Sequence, residues 1–359
     1  MANIVILGAG VMGSALACVA AANNDVTLVG SPLDKLIITE IKQGNAHPGL
    51  RHTLPSTITT TADGDLRDDT MQNADVIVIG VSSPGVNWAL LTLGQHKATP
   101  NILALVTKGL VSTSNISAAP QTYAQFLEPT LTKPAGGIVG IGGPCIAREL
   151  ALGYPTRVCF AAHDINVANS LRDILSTNYY HIATHTDFTG LEACAALKNF
   201  MCIGVSAMFS TYSLDDNYAK NPVAALFNQA VHEIANLCHW IKQETSNNII
   251  NKTPSKQMRD ALAFDLAGMG DLHVTVGGGR NSLLGKHLGK GKLLNEIRSN
   301  EMRDVTVEGV DTGKQLLPGF RNACNQGTLT TSDFPLTNSI LNVIENEQAF
   351  EFNFSLLPG

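Results

Sequence analysis

The chain has 359 residues, 44% of them apolar and 15% charged, with a formal net charge of -6. That composition excludes a disordered polymer and allows two domains of ordinary size. The acidic balance, without long runs of either sign, argues against nucleic acid and against stable membrane association, so an anionic substrate needs locally placed cations.

In chain order, Asn3 to Leu7 (NIVIL) reads as a buried strand that runs into Gly8-Ala9-Gly10-Val11-Met12-Gly13 and then an Ala-rich helix to about Ala22. Strand, glycine turn and helix in that order suit a dinucleotide. Gly8 makes the tight turn, Gly10 admits the pyrophosphate, Gly13 lets the helix pack on the sheet, and the helix N-terminus stabilises the anion. A second strand, Val26 to Val29, follows at the expected distance. Beyond it, Gly30-Ser31-Pro32 carries neither carboxylate nor arginine at its tip, and Asp34 and Lys35 have opposite signs. Ser31 is therefore the expected ribose contact, with NAD and NADP discriminated by no more than about tenfold.

Further strand-like runs at 75–80, 102–106, 138–141, 157–161 and 179–184 alternate with helical patterns. The alternation predicts a mostly parallel, doubly wound sheet in a first domain spanning 1–186. Ligands of such sheets bind beyond the carboxyl ends of the strands. Three of those ends are equipped: Gly80 to Pro84, Thr107-Lys108-Gly109, and Gly142-Gly143-Pro144-Cys145. Lys108 reads either as a cation placed where cofactor and substrate meet or as a solvated lysine at a strand end. Pro129 to Gly137 reads as a surface loop.

Past Asp187 helical periodicities take over, at 188–213, 222–243, 256–266, 281–288, 308–317 and 335–346, so 187–359 is expected to form an all-α second domain. Polar stretches at Asp215 to Asn221 and Glu244 to Ser255 read as loops. The run Phe188 to Phe209 is as long as a membrane span, but Glu192, Lys198 and Asn199 fall within it, which makes it a buried core helix. An ammonium deprived of water there is expected to exchange protons near working pH, unless Lys198 snorkels or pairs with a core carboxylate such as Glu192. Downstream, Ala267-Gly268-Met269-Gly270-Asp271-Leu272, then Thr275, then Gly277-Gly278-Gly279-Arg280-Asn281 lead into a helix. Free amides there and the planar fork of Arg280 suit phosphate oxygens, so a small phosphorylated substrate is expected. Asp271 reads as an acceptor for Lys198 or for a substrate hydroxyl, or else as a helix cap.

Other signals fail. Gly285 to Lys292 (GKHLGKGK) lacks Walker spacing, no GxSxG elbow is present, and His181 and His185 flank a predicted strand without a Cys or carboxylate to complete a set, so no metal is expected. Seven cysteines without a CxxC pair, and a chain that runs straight into its first strand, lead to an expectation of reduced thiols and a cytoplasmic setting.

The motifs GAGVMG, VTKGL, GGPCIARELALGYPT, ALKNF, GMGDLHVT, GGRN and VEGV stand in the order seen in soluble NAD(P)-dependent glycerol-3-phosphate dehydrogenases, which the chain resembles from about residue 3 to about 345. The resemblance is to the prokaryotic type, with an archaeal-like GGRN loop. It implies a Rossmann-type domain followed by an all-α domain, NAD or NADP as cofactor, and interconversion of dihydroxyacetone phosphate and sn-glycerol 3-phosphate, which supplies phospholipid backbones. It implies that Lys198 gives and takes the proton with Lys108 and Asp271 in support. Lys108, Gly143, Asp271, Arg280 and Asn281 match positions that hold substrate in the family, and Cys145, Lys198, Asn199, Thr275 and Gly279 are expected beside them. Val11, Met12, Ala147, Val307 and Glu308 match positions lining the cofactor, and Gly8, Gly10, Gly13, Ser31, Lys108 and Arg280 are expected on the same side. A homodimer is expected. The chain departs from the family at Cys145, where Ser or Thr is usual, at Gly279, where Ser is usual, and at Asn228-Gln229, which replace a Thr-Arg pair. The alternatives are another lysine-dependent dehydrogenase, of the ketopantoate reductase or 3-hydroxyacid type, and a non-enzymatic NAD(P)H-sensing module.

Overall fold

The computed structural model describes residues 1–128, 136–212, 219–245, 262–303 and 305–357. The loop expected at 129–137 lies outside the described residues apart from its last two, and that at 215–221 apart from its last three. The 244–255 insertion beyond Thr245 and the 256–266 helix before residue 262 also lie outside them. The chain divides into two compact units, one made of Met1–Lys108 with Ala124–Leu191, the other of Gly109–Tyr123 with Glu192–Gly359. The division is not a single cut at residue 186. A short segment of the first half joins the second unit, and the boundary falls inside a helix.

The first unit begins with β1 (Asn3–Leu7), α1 (Val11–Ala20), β2 (Asp25–Gly30), α2 (Lys35–Lys42), β3 (Thr59–Ala62), α3 (Asp68–Gln72), β4 (Val76–Ile79), α4 (Val86–Gln95) and β5 (Ile102–Leu105). The second unit then takes β6 (Leu110–Val111) and β7 (Gln121–Thr122), an antiparallel pair. After α5 (Tyr123–Leu127) the first unit resumes with β8 (Gly137–Gly142), α6 (Ala147–Ala151), β9 (Thr156–Ala161), α7 (Ile165–Leu175) and β10 (Tyr180–His185). The eight strands of its sheet run in the order β10-β9-β8-β5-β4-β1-β2-β3, all neighbours parallel except β8 and β9. Strands β1, β4 and β5 are near-continuous runs of Val, Ile and Leu because the interior strands of such a sheet are buried on both faces. The edge strand β3 reads Thr-Thr-Thr-Ala and is half exposed, so no apolar signal predicted it. The strand order reverses beside β1, with β2 on one side and β4 on the other, which opens a crevice at their carboxyl ends.

The second unit is organised around α8 (Phe188–Thr211), whose residues from Phe188 to Met208 are nearly all buried. This helix is long and apolar enough to cross a membrane by length and composition, yet 89% of its apolar window is buried inside the protein. The unit continues with α9 (Lys220–Thr245), a π-helical turn at Leu266–Gly270, α10 (Asp271–Val276), α11 (Arg280–Gly289), α12 (Leu294–Ser299), α13 (Glu308–Asn325) and α14 (Pro335–Asn346). Glycines bring α11 and α13 onto the backbone of α8. A Cβ added at Gly285 would lie 2.3 Å from the Ile203 carbonyl oxygen, at Gly289 2.0 Å from that of Ala207, and at Gly309 2.4 Å from that of Asn199. Two glycines of GKHLGKGK, Gly285 and Gly289, thus serve helix packing, whereas Gly291 takes a φ of 80° just past the helix. Helix α13 was expected to stop at 317, before Pro318, but runs on to Asn325. The missing amide at Pro318 is outweighed by packing, with Phe320 fully buried against Phe334 at 5.4 Å and Trp240 at 6.5 Å between ring centroids.

Candidate active site

In the first unit, Gly8 adopts a φ of 112° as β1 ends, and its amide donates to the Val29 carbonyl at 2.8 Å. A Cβ at Gly13 would meet the Gly8 carbonyl oxygen at 2.2 Å and that of Gly80 at 3.4 Å, so α1 lies tight against the ends of β1 and β4. Gly10 differs. It precedes α1 without a side-chain cap, and a Cβ there would meet nothing within 4 Å. Free amides beside open space form a cradle that fits a dinucleotide pyrophosphate. Val11 stands 43% exposed on the first turn of α1.

Four residues named from the sequence, Met12, Lys108, Gly143 and Cys145, surround one small cavity of about 20 Å³ together with Val106 and Tyr180. Gly143 has a φ of 119°, a region that favours glycine. The segment before Lys108 is fixed by Thr107, whose hydroxyl donates to the Val81 carbonyl at 2.7 Å, and the Lys108 carbonyl accepts from Ser83 at 3.3 Å. Ala147, expected to line the cofactor, is 9% exposed and packs into the apolar core of this unit. His181 and His185 both lie on β10 rather than flanking it, and His185 Nδ1 accepts from the Asp187 amide at 2.8 Å.

Two residues that bond to the glycine turn are not among the site residues named from the sequence, although Asp34 stands there as a nearby charge. Asp34 precedes α2 but turns its carboxylate back, so that Oδ2 accepts from the Ser31 amide at 2.9 Å, the Ser31 hydroxyl at 2.7 Å and the Ala9 amide at 3.2 Å. The Ser31 hydroxyl has thereby committed its proton, and toward a ribose it can only accept. Buried His47 accepts at Nδ1 from the amides of Gly49 and Leu50, which leaves Nε2 to donate to the Ala9 carbonyl at 3.0 Å. Ala9 is thus held through both its amide and its carbonyl. The available signals were an acidic residue four positions past Gly30 and a histidine in a His-Pro-Gly turn, neither specific by itself.

In the second unit, α8 buries Lys198 to 5% exposure. Its ammonium donates to Asp271 Oδ1 at 2.8 Å and to the Thr275 hydroxyl at 2.7 Å. The Thr275 hydroxyl gives its own proton to the Asp271 carbonyl at 2.7 Å, so it acts as an acceptor toward Lys198. Asp271 and Thr275 sit four apart on α10, one turn of a single helical face. One turn beyond Lys198, burial pushes the Cys202 thiol up to about 11, which keeps it protonated at neutral pH.

A second cluster follows on from the lysine. Asn199 donates to Glu308 Oε2 at 3.1 Å and accepts from Asn281 at 3.0 Å, while the Asn281 carbonyl oxygen accepts from the Gly309 amide at 2.9 Å. Arg280 donates to Glu308 Oε1 at 3.1 Å with its side chain 52% exposed. Val307, at 5% exposure, immediately precedes α13. The second unit therefore gathers Lys198, Asn199, Asp271, Thr275, Arg280, Asn281 and Glu308, and the first gathers the glycine turn, Lys108, Gly143 and Cys145. Among the described residues no group of three or more His, Cys, Asp or Glu is arranged to hold a metal ion.

Two protein-family models match the chain, NAD-dependent glycerol-3-phosphate dehydrogenase N-terminus over residues 3–168 and C-terminus over 187–353. The NADP(+)-dependent glycerol-3-phosphate dehydrogenase of Archaeoglobus fulgidus is 31% identical over 313 residues, 86% of this chain and 87% of that one. The chain belongs to the NAD-dependent glycerol-3-phosphate dehydrogenase family. An NAD(P)-dependent glycerol-3-phosphate dehydrogenase of Thiobacillus denitrificans is 32% identical over 319 residues, 88% of this chain and 87% of that one. The crystal structure of the Coxiella burnetii glycerol-3-phosphate dehydrogenase shares the fold, with a TM-score of 0.72 at 22% identity over 97% of this chain and 96% of that one. The departures of this glycerol-3-phosphate dehydrogenase family member have local settings. Gly279 has a φ of 98°, which favours glycine, Cys145 lines the cavity beside Lys108, and Gln229 donates to buried Glu233 at 2.8 Å.

Proposed function

We propose that this chain interconverts dihydroxyacetone phosphate and sn-glycerol 3-phosphate, with NAD(P)H as the redox partner. The observation that carries the reading is the buried Lys198 ammonium, held by Asp271 and Thr275 in the same unit that presents Arg280 and Asn281 at a helix start.

When bound, the nicotinamide cofactor supplies a hydride to C2 of the ketone, or takes one from the alcohol. The glycine turn of the first unit binds the pyrophosphate with main-chain amides, and Lys108 adds a cation at the carboxyl end of β5. Lys198 delivers a proton to the carbonyl oxygen as that oxygen gains electrons, and in the oxidising direction the neutral amine takes the proton back. Asp271 and Thr275 hold the amine in place before transfer. Arg280, Asn281 and the glycine loop bind the phosphate, so that binding energy remote from C2 orients it. The same reading extends to a cytoplasmic homodimer whose product serves phospholipid backbones, as the family resemblance of the motifs suggests.

Oxidation of NADH and NADPH, followed against dihydroxyacetone phosphate, unphosphorylated dihydroxyacetone and ketopantoate, tests the reading. Dihydroxyacetone phosphate should be the preferred substrate. Lys198→Met should lower kcat by roughly two to four orders of magnitude while a fluorescence titration with NADH stays unchanged. Preference for ketopantoate, or near-normal turnover by the variant, would sink it.

A further inference from the structure

We propose that Asp34 reads the adenosine ribose and makes this chain select NAD(H) over NADP(H), an inference that rests on the dehydrogenase reading above. The carboxylate is built into the floor of the nucleotide cradle. Its Oδ2 accepts from the amide of Ala9, the middle residue of Gly8-Ala9-Gly10, and from the amide and hydroxyl of Ser31 at the end of β2. Three donors on one oxygen fix the group in place. Its other oxygen, Oδ1, has no hydrogen-bond partner among the described residues, and the side chain is half-buried rather than covered.

An anchored carboxylate with one oxygen left over, at the carboxyl end of the strand beside β1, is an acceptor for a hydroxyl. The ribose 2'-hydroxyl of NAD donates to such an oxygen, whereas the 2'-phosphate of NADP brings like charge against it. No cation offsets that repulsion within the cluster. Lys35 is exposed, and no ion pair ties it to Asp34 among the described residues. Ser31 offers no rescue, because its hydroxyl proton is already given to Asp34. Selection by Asp34 runs counter to the weak discrimination expected from a strand tip without a carboxylate. The acidic group is there, delivered from the start of α2 by a backward turn. The chain would differ in this respect from the Archaeoglobus fulgidus relative, which is named as NADP(+)-dependent.

Calorimetric titration of the full chain with NADH and with NADPH, without substrate, reads the preference directly. Wild type should bind NADH at least about tenfold more tightly, and Asp34→Asn should shrink the ratio by about tenfold, chiefly by tightening NADPH. Ser31→Ala should keep the NADH preference, since it leaves the carboxylate in place. A purely structural Asp34 would weaken both dinucleotides alike in the Asn variant and leave the ratio unchanged, which overturns the proposal. Equal affinities in wild type, or loss of the preference in Ser31→Ala, overturn it too. If dihydroxyacetone phosphate is turned over meanwhile, only the role of Asp34 falls. Failure of wild type to bind either dinucleotide removes the dehydrogenase reading as well.

Discussion

Gly10 and Gly13 of one turn have different reasons to be there, and substitutions separate them. Gly10 has φ -68° and ψ 179°, an extended conformation open to any residue, and an added Cβ would touch nothing within 4 Å. Gly10→Ala should leave unfolding free energy within about 0.5 kcal/mol of wild type, yet weaken dinucleotide binding by roughly tenfold or more, because the methyl group occupies the pyrophosphate's approach. Gly13→Ala should instead damage the fold, its Cβ lying 2.2 Å from a main-chain oxygen. Urea denaturation and NADH titration of both variants check this, and unaltered affinity in Gly10→Ala would move the pyrophosphate elsewhere. Lys198, Asp271, Arg280 and the glycine turn stood out in the sequence because a cation in an apolar run, or glycines before a helix, break a local pattern. Asp34 and His47 break none. An aspartate before a helix is an ordinary cap, and only the backward turn of its carboxylate toward Ser31 and Ala9 reveals another use.

Helix α9 buries a carboxylate whose titration bears on stability. Glu233 is entirely inaccessible and accepts from Gln229, from the amides of Leu336 and Thr337 at the start of α14, and from the Thr337 hydroxyl. Desolvation raises its pKa above the ordinary carboxylate range, and those hydrogen bonds, led by Thr337, pull it partly back. A folded pKa above the unfolded one means that its stabilising contribution is complete at acid pH and is lost as pH rises through the folded value. The melting temperature of wild type relative to Glu233→Gln should therefore fall as pH rises above the ordinary glutamate pKa. A difference independent of pH would show that the carboxyl titrates alike in both states. Elements with strong periodicity were legible, including α14, found at the predicted 335–346. The short helices α10 and α12 and the strands β3, β6 and β7 were not, since two to six residues carry too little periodicity to register.

Across the whole molecule none of the seven cysteines is in a disulfide, five are buried, and Cys145 and Cys324 are partly accessible. Burial pushes the Cys18 and Cys202 thiols up to about 11, and the Cys194 and Cys238 thiols share a hydrogen bond with their sulfurs 3.5 Å apart, without a disulfide. A bulky aromatic disulfide reagent should therefore titrate two thiols in the native protein and seven in urea. More than two fast-reacting thiols would mean that a core opens readily. The chain also changes units three times, entering the second at Gly109, leaving it at Ala124 and returning at Glu192. The β6–β7 pair docks on α13, where the Gln315 side chain accepts from the Ser112 amide across 203 residues of sequence. At a synthesis rate of about 5–20 residues per second, roughly 10 to 40 seconds separate the emergence of the two partners from the ribosome. A nascent chain spends that interval with a strand pair whose helix does not yet exist, so the second unit can close only late in synthesis.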